Sequence, residues 1–253
     1  MISIDDLKRV AKLKGLRNLG HAEKDYIQDI ALLSISKNTK DEIVFKGGTC
    51  LYKFYRLNRF SEDIDFTLRK GIDIDDLIKK AISDLTAFGI AAEVRDSRKT
   101  MDCIMLTLRT RGPLYMGAPQ SFSNIGVDIN IRSSISIEPV LTRYSSLYKD
   151  VPDFSLLIMQ EKEILAENVR AIMTRTKARD VYDMWFLLER GVEFDDALIR
   201  EKLNYYKETW NPKEFAKALH MKESIWEIEL GPFIQALPRF IDVRKAILGK
   251  IPA

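Results

Sequence analysis

Asp63 and Asp65 are separated by one residue, Ile64, in the run Ser61-Glu62-Asp63-Ile64-Asp65-Phe66-Thr67-Leu68. The alternation predicts a strand with Asp63, Asp65 and Thr67 on one face and Ile64, Phe66 and Leu68 on the other. Two carboxylates at that spacing can hold one hard cation, and Mg²⁺ takes a few carboxylates together with water and phosphate oxygens. A lone Asp-x-Asp is most often an ordinary feature of a strand. Here it follows a second element: an apolar strand, Glu42 to Phe45, then Lys46-Gly47-Gly48-Thr49 and an expected helix from Thr49. The Thr49 hydroxyl is read as its cap, with Leu51, Tyr52 and Tyr55 on its apolar side. Glycines before a helix N-terminus let backbone N–H groups approach an anion, and the dipole favours phosphate there.

A third carboxylate stands mid-run in Ile125-Gly126-Val127-Asp128-Ile129-Asn130-Ile131-Arg132. A strand expected to be buried puts Gly126, Asp128, Asn130 and Arg132 on one face, and a buried charge needs a metal or an ion-pair partner. Asp128 is therefore either a third metal ligand or an aspartate bridged to Arg132 or Lys46. Further on, Arg170, Arg175, Lys177 and Arg179 form the densest basic cluster, offset by Asp180. It suits a triphosphate or RNA phosphates, or is a solvated connector between two helices.

Lys46-Gly47-Gly48-Thr49 followed by Arg59-Phe60-Ser61-Glu62-Asp63-Ile64-Asp65-Phe66 resembles the signature of the AbiEii/AbiGii (MenT-like) toxins of the nucleotidyltransferase superfamily, which have the polymerase beta-type core. Arg179-Asp180-Val181-Tyr182-Asp183 resembles part of that family's second conserved region. The resemblance implies transfer of a nucleoside monophosphate from an NTP to an acceptor hydroxyl. It assigns one or two Mg²⁺ to Asp63, Asp65 and Asp128, with Asp128 completing the cluster or taking the acceptor proton. It also implies a catalytic place for Asp180. Nucleotide contacts fall to Gly47, Gly48, Thr49 and Ser61, and to Arg175 and Lys177. It implies an RNA acceptor, tRNA first, and a cognate AbiEi-like antitoxin as partner. The sequence departs from the family where a nucleotide-contacting lysine is usual, since Asn168 stands there and an amide cannot replace an ammonium. Transfer to a protein hydroxyl, or a catalytically decayed nucleotide-binding protein, are the competing expectations.

The 253 residues, 46% hydrophobic and 30% charged, read as an ordinary globular protein with a sizeable core. The net charge of +3 does not by itself argue for nucleic acid. Two cysteines exclude a disulfide framework, and two histidines make a histidine-based mechanism a poor fit. No apolar run reaches membrane-spanning length and the N-terminus lacks a signal pattern, so a cytoplasmic protein is expected, taken as a monomer.

The elements that must position these residues follow from periodicity and capping. Helices are expected over 3–14, 21–36 and 73–88, with Gly89 as a stop. The charges of Glu23-Lys24-Asp25 read as a solvated helix face. Strands are expected over 90–96 and 102–110, and a loop over 112–123. From Ser155 the chain is read as helical, with helices over 157–174 and 178–189. A helical end follows in which Asn211-Pro212 starts a helix, and Trp210, Trp226, Phe233 and Phe240 pack. The fold class is thus α+β: a nucleotidyltransferase-type mixed sheet with flanking helices over 1–150, then a helical region over 151–253. The expected cleft lies between the aspartate-bearing sheet face and the helices around Arg175 to Asp183.

Overall fold

A computed structural model describes residues 1–132 and 135–251. The chain forms two compact units, one of Met1–Phe54, Phe60–Ile135 and Pro139–Ile158, the other of Tyr55–Arg59, Ser136–Glu138 and Met159–Ala253.

The first unit begins with α1 (Ile4–Leu13) and α2 (Leu19–Asn38). Ser3 caps α1 by accepting from the Asp6 N–H at 3.1 Å, and Asn18 caps α2 through Gly20 N–H at 2.8 Å. Then come β1 (Ile43–Lys46), α3 (Gly47–Phe54), β2 (Ile64–Leu68) and α4 (Ile74–Ala87). The α4 cap is Asp73, whose side chain accepts from Asp76 N–H, and Gly89 at φ +80 closes the helix as expected. The strands β3 (Ala91–Lys99), β4 (Cys103–Arg111), β5 (Ser123–Asn130), β6 (Val140–Tyr144) and β7 (Phe154–Ile158) complete the unit. The sheet order is β3-β4-β5-β2-β1-β7-β6, with β2–β5 and β1–β7 parallel and the other pairs antiparallel. Ile64 and Phe66 of β2 lie on the buried side with Phe45 of β1, and Ile27 and Ile30 of α2 join the core.

Two expectations change here. The residues from Ser155 do not turn helical: Leu157 and Ile158 belong to β7, and Ile158 pairs beside Phe45 of β1. The apolar run Leu156-Leu157-Ile158 suits a buried strand as well as a helix, and long-range pairing decides. The charges at the start of α2 are not solvated either, since Glu23 and Asp25 are buried.

The second unit contains α5 (Glu161–Thr174), α6 (Arg179–Glu189), α7 (Asp196–Asn204), α8 (Pro212–His220), α9 (Trp226–Leu230) and α10 (Phe240–Leu248). Asn211 caps α8 with Pro212 at its first position, and Trp210, Trp226 and Phe240 are buried, while Phe233 is half-buried. Buried Glu163 accepts from the N–H groups of Ser136 and Ile137 and pairs with buried Lys202. Among the described residues no helix is long and apolar enough to cross a membrane.

Candidate active site

The sheet register brings the carboxylates of the first unit to one face. Asp65 of β2 pairs with Lys46 of β1 on one side and with Asp128 of β5 on the other. Laterally paired residues project to the same face, so the three side chains start from one row. Asp63 precedes β2 and stands one step further along, beside Gly126, because Ile64 pairs with Val127. β5 alternates, and Asp128 lies on its open side, exposed. The expectation of a buried mid-strand carboxylate is thereby corrected.

Two glycines make room for the aspartates. A Cβ on Gly47 would stand 2.5 Å from Asp65 Oδ2, and one on Gly126 would stand 2.6 Å from Asp63 Oδ1. Each carboxylate therefore lies in a notch that any side chain would fill. Gly47 has a second reason to be glycine. Its φ of +75 turns β1 directly into α3, a conformation other residues adopt at a cost of about 1–2 kcal/mol.

The start of α3 also corrects the expected cap. The helix begins at Gly47 rather than at Thr49, and Thr49 is a buried helical residue. Its hydroxyl donates to the Asp63 carbonyl, tying the first turn of α3 to the segment that carries the aspartates. Thr49 thus positions the loop, and its one hydroxyl proton is not aimed at a phosphate. Ser61 is buried, and its carbonyl accepts from Gln28 Nε2 at 2.9 Å, with the Glu62 carbonyl accepting from the same nitrogen at 2.8 Å. Lys24 pairs with Glu62 at 2.5 Å. The aspartate loop is therefore fastened to both α2 and α3.

Among the described residues no three His, Cys, Asp or Glu side chains gather into a group able to hold an ion. The donor set that fits a divalent cation is the pair Asp63 and Asp65 in their glycine notches. Two carboxylates suit Mg²⁺, which completes its octahedron with water and substrate phosphates.

A second set of charges in this unit escaped the sequence reading. Lys53 of α3, fully buried, bonds Asp25 Oδ1 at 2.7 Å and Asp29 Oδ1 at 2.6 Å. Lys14 adds a 2.5 Å bond to Asp25 Oδ2, which also accepts from Tyr148 Oη at 2.9 Å. Ser146 Oγ and Tyr144 Oη donate to Asp29 Oδ2. Burial pushes the Asp25 carboxyl up, but the two ammonium groups and their hydrogen bonds outweigh it and hold it at about 2. Burial, with Asp25 and Asp29 nearby, pushes the Tyr52 and Tyr148 phenols upward, and Tyr144 likewise. The available signal was an aspartate pair four residues apart, on the same helix side as Tyr26, Ile30 and Leu33.

In the second unit, Arg59 and Asp183 form a buried two-pronged pair, Nε to Oδ1 at 2.7 Å and Nη2 to Oδ2 at 2.6 Å. Asp180 is half-buried, and its Oδ2 is fully buried without a hydrogen-bond partner. Burial pushes its carboxyl up, Arg175 opposes this, Asp183 adds to it, and Arg179 and Arg59 oppose it again. Arg175 and Lys177 are exposed on the connection between α5 and α6. Arg170 leaves the expected basic cluster: it is buried, with its guanidinium 4.1 Å from the Tyr206 ring centre. Asn168 is buried, with its Nδ2 lacking a hydrogen-bond partner.

The first unit thus joins a mixed sheet, a glycine-headed helix and an aspartate pair at the head of β2. Residues 31–247 match the family described as nucleotidyl transferase AbiEii toxin, type IV toxin–antitoxin system, and the chain belongs to that family. It is thus a nucleotidyltransferase toxin, with an NTP as substrate and an antitoxin as partner. Its fold is similar to that of MenT4, a nucleotidyltransferase toxin from Mycobacterium tuberculosis H37Rv, at 21% identity, covering 98% of this chain and 90% of that one with a TM-score of 0.70. It is also similar to JHP933 from Helicobacter pylori, at 18% identity, covering 93% and 91% with a TM-score of 0.62. Comparison with curated protein sequences gives no match.

Proposed function

We propose that this toxin transfers a nucleoside monophosphate from an NTP to a hydroxyl of RNA, with pyrophosphate leaving, a tRNA end being the first candidate, and that Asp63 and Asp65 carry the reaction. The observation behind this reading is the pair of notches at Gly47 and Gly126, which keep both carboxylates on one sheet face beside the first turn of α3. When bound, Mg²⁺ would neutralise the triphosphate and stabilise the attacking and leaving oxygens. Asp63 and Asp65 would hold that ion. The backbone N–H groups of Gly47 and Gly48, at the positive end of α3, orient the phosphates. Asp128, exposed in the same row as Asp65, takes the proton of the attacking hydroxyl. In the second unit, exposed Arg175 and Lys177 offer positive charge to a polyanion, and Asp180 and the Arg59–Asp183 pair lie at the start of α6. Buried Asn168 supplies no charge.

Incubation with each labelled NTP, Mg²⁺ and total RNA tests the reading. Asp63→Asn and Asp65→Asn each lower RNA labelling by roughly a thousandfold, the effect of losing several kcal/mol of transition-state stabilisation. Full labelling by either variant would sink the assignment. Label appearing on protein rather than RNA would transfer the same residues to a protein hydroxyl.

A further inference from the structure

The aspartate face does not end at β5. On β4 the buried side is Ile104, Leu106, Leu108 and Thr110, and the other side carries Met105, Thr107, Arg109 and Arg111. Met105 pairs with Asp128, so Arg109 and Arg111 lie on the face that holds the carboxylates. Arg109 pairs with Asn124, two residues before Gly126. It is therefore displaced from Asp63 by roughly 7 Å along the strands and about two strand spacings, roughly 10 Å, across them.

Two aromatic rings complete the patch. Tyr115 and Phe122, both half-buried, have ring centres 4.9 Å apart at 41°. The Arg109 guanidinium lies 4.8 Å from the Phe122 centre, and that of Arg111 lies 5.4 Å from Tyr115 and 5.6 Å from Phe122. The loop bearing the rings is held from below. Buried Glu23 accepts from Leu114 N–H at 2.6 Å, and Met116 N–H donates to Ser121 Oγ. Across the sheet, Arg98 of β3 pairs with Met105 and continues the row of Asp128 and Asp65.

We infer that this face of β3 and β4, with the Tyr115–Phe122 loop, binds the single-stranded end of the RNA that presents the acceptor hydroxyl, an inference resting on the proposed transfer to RNA. Arginine planes beside accessible aromatic rings are the combination that stacks unpaired bases and holds their phosphates. Arg98, Arg109 and Arg111 supply positive charge against two acids on this face of β3, Glu93 and Asp96. The Glu93–Arg109 bridge, at 2.5 Å, is exposed, and a pair of that kind yields readily to a phosphate. A protein strand adding to the open edge fits less well, because β3 carries Arg95, Asp96, Arg98 and Lys99 and a bulge between Val94 and Asp96. Those features guard an edge against strand pairing.

The test is fluorescence anisotropy with a labelled single-stranded RNA of about twelve nucleotides, a length that fits one such platform. It is run without NTP or Mg²⁺ across a salt series, with the wild type's NTP-dependent RNA labelling measured in parallel. The double variant Arg109→Gln with Arg111→Gln weakens binding about tenfold or more and lowers the slope of log affinity against log salt by about 1.4, two lost phosphate contacts. Phe122→Ala weakens binding about fivefold or more and leaves the slope unchanged, as loss of stacking does. Restoring the charge with Arg109→Lys and Arg111→Lys recovers the slope, which a folding defect would not. Unchanged affinity and slope in all variants overturn the inference, and if the wild type still labels RNA, transfer to RNA survives that failure. Retained RNA binding with loss of antitoxin binding makes the patch a protein interface and also overturns it. Loss of binding in the variants, with no RNA labelled by the wild type, leaves the surface standing and sinks the transfer reading instead.

Discussion

Asp25 and Asp29 on α2 and Asp63 and Asp65 at the head of β2 belong to one unit and share one chemistry, yet the fold treats the two pairs in opposite ways. The first pair is fully buried and met by Lys53 and Lys14 and by hydroxyls of Tyr148, Tyr144 and Ser146. Cations and hydroxyls fill its coordination, and what remains is a lock joining α2, α3 and the segment after β6. The second pair is set against glycines, with its polar atoms in notches on a sheet face. A carboxylate whose neighbours supply charge stabilises a fold. One set against a glycine has room beside it that any side chain would fill. Lys53 connects the two, because it stands at the last turn of the helix whose first turn begins at Gly47.

The largest effect that would break this contrast is expected at Lys53. Lys53→Met removes the charge and keeps the stem, leaving two buried carboxylates without their shared partner. Such a loss destabilises by about 3–5 kcal/mol, whereas Asp63→Asn should leave stability nearly unchanged. Denaturant unfolding of the two variants side by side decides the matter. A Lys53→Met protein that unfolds at the wild-type midpoint would show that the network contributes nothing to the lock.

The next effect concerns the notches. Gly126→Ala places a methyl 2.6 Å from Asp63 Oδ1 and 3.2 Å from its Cγ, so the carboxylate must swing away. Activity should fall about tenfold to a hundredfold, since a misplacement near 1 Å can cost that much. Stability should change by less than about 1 kcal/mol, because the group that moves is the far end of a side chain. The kcat/KM for RNA labelling, together with the melting temperature, checks the split. Unchanged activity would mean that Asp63 need not sit over Gly126.

Much of this was legible in the sequence, and the failures have physical causes. Alternation in residues 61–68 predicted which face carries Asp63 and Asp65, and Asn211-Pro212 and Gly89 marked their helix boundaries through local backbone chemistry. The Gly126 notch was not legible, because it exists only once β2 and β5 are in register. Residues 157–158 were misread for the same reason: an apolar run suits helix and strand alike until Phe45 pairs beside Ile158. Thr49 was misread as a cap since Gly47, by taking a positive φ, starts the helix two residues earlier. The charges of α2 were misread because their partners, Lys53 and Tyr148, are distant in sequence.

Glu23 offers the finest test of the contrast, since it is a third buried carboxylate of α2 but is met by a backbone N–H instead of a lysine. Burial pushes its carboxyl above the ordinary glutamate value of 4.5, and the Leu114 N–H only partly opposes this. Asp25 goes the other way, from 3.8 down to about 2, under Lys53 and Lys14. The two contribute to stability with opposite signs. The Asp25 contribution is present above pH 3.8 and is lost as the pH falls through about 2. For Glu23 the folded state binds the proton more tightly, so its contribution is complete below pH 4.5 and is lost as the pH rises through the raised folded value. Glu23→Gln keeps an oxygen to accept from Leu114 N–H and removes the buried charge. The variant should therefore match the wild type near pH 4 and become the more stable of the two toward pH 7, by less than about 1 kcal/mol. Urea midpoints of both proteins across that range measure the gap. A variant that loses stability relative to the wild type as the pH rises would show that the ionised carboxylate is favoured at this position, with Glu23 behaving like Asp25 after all.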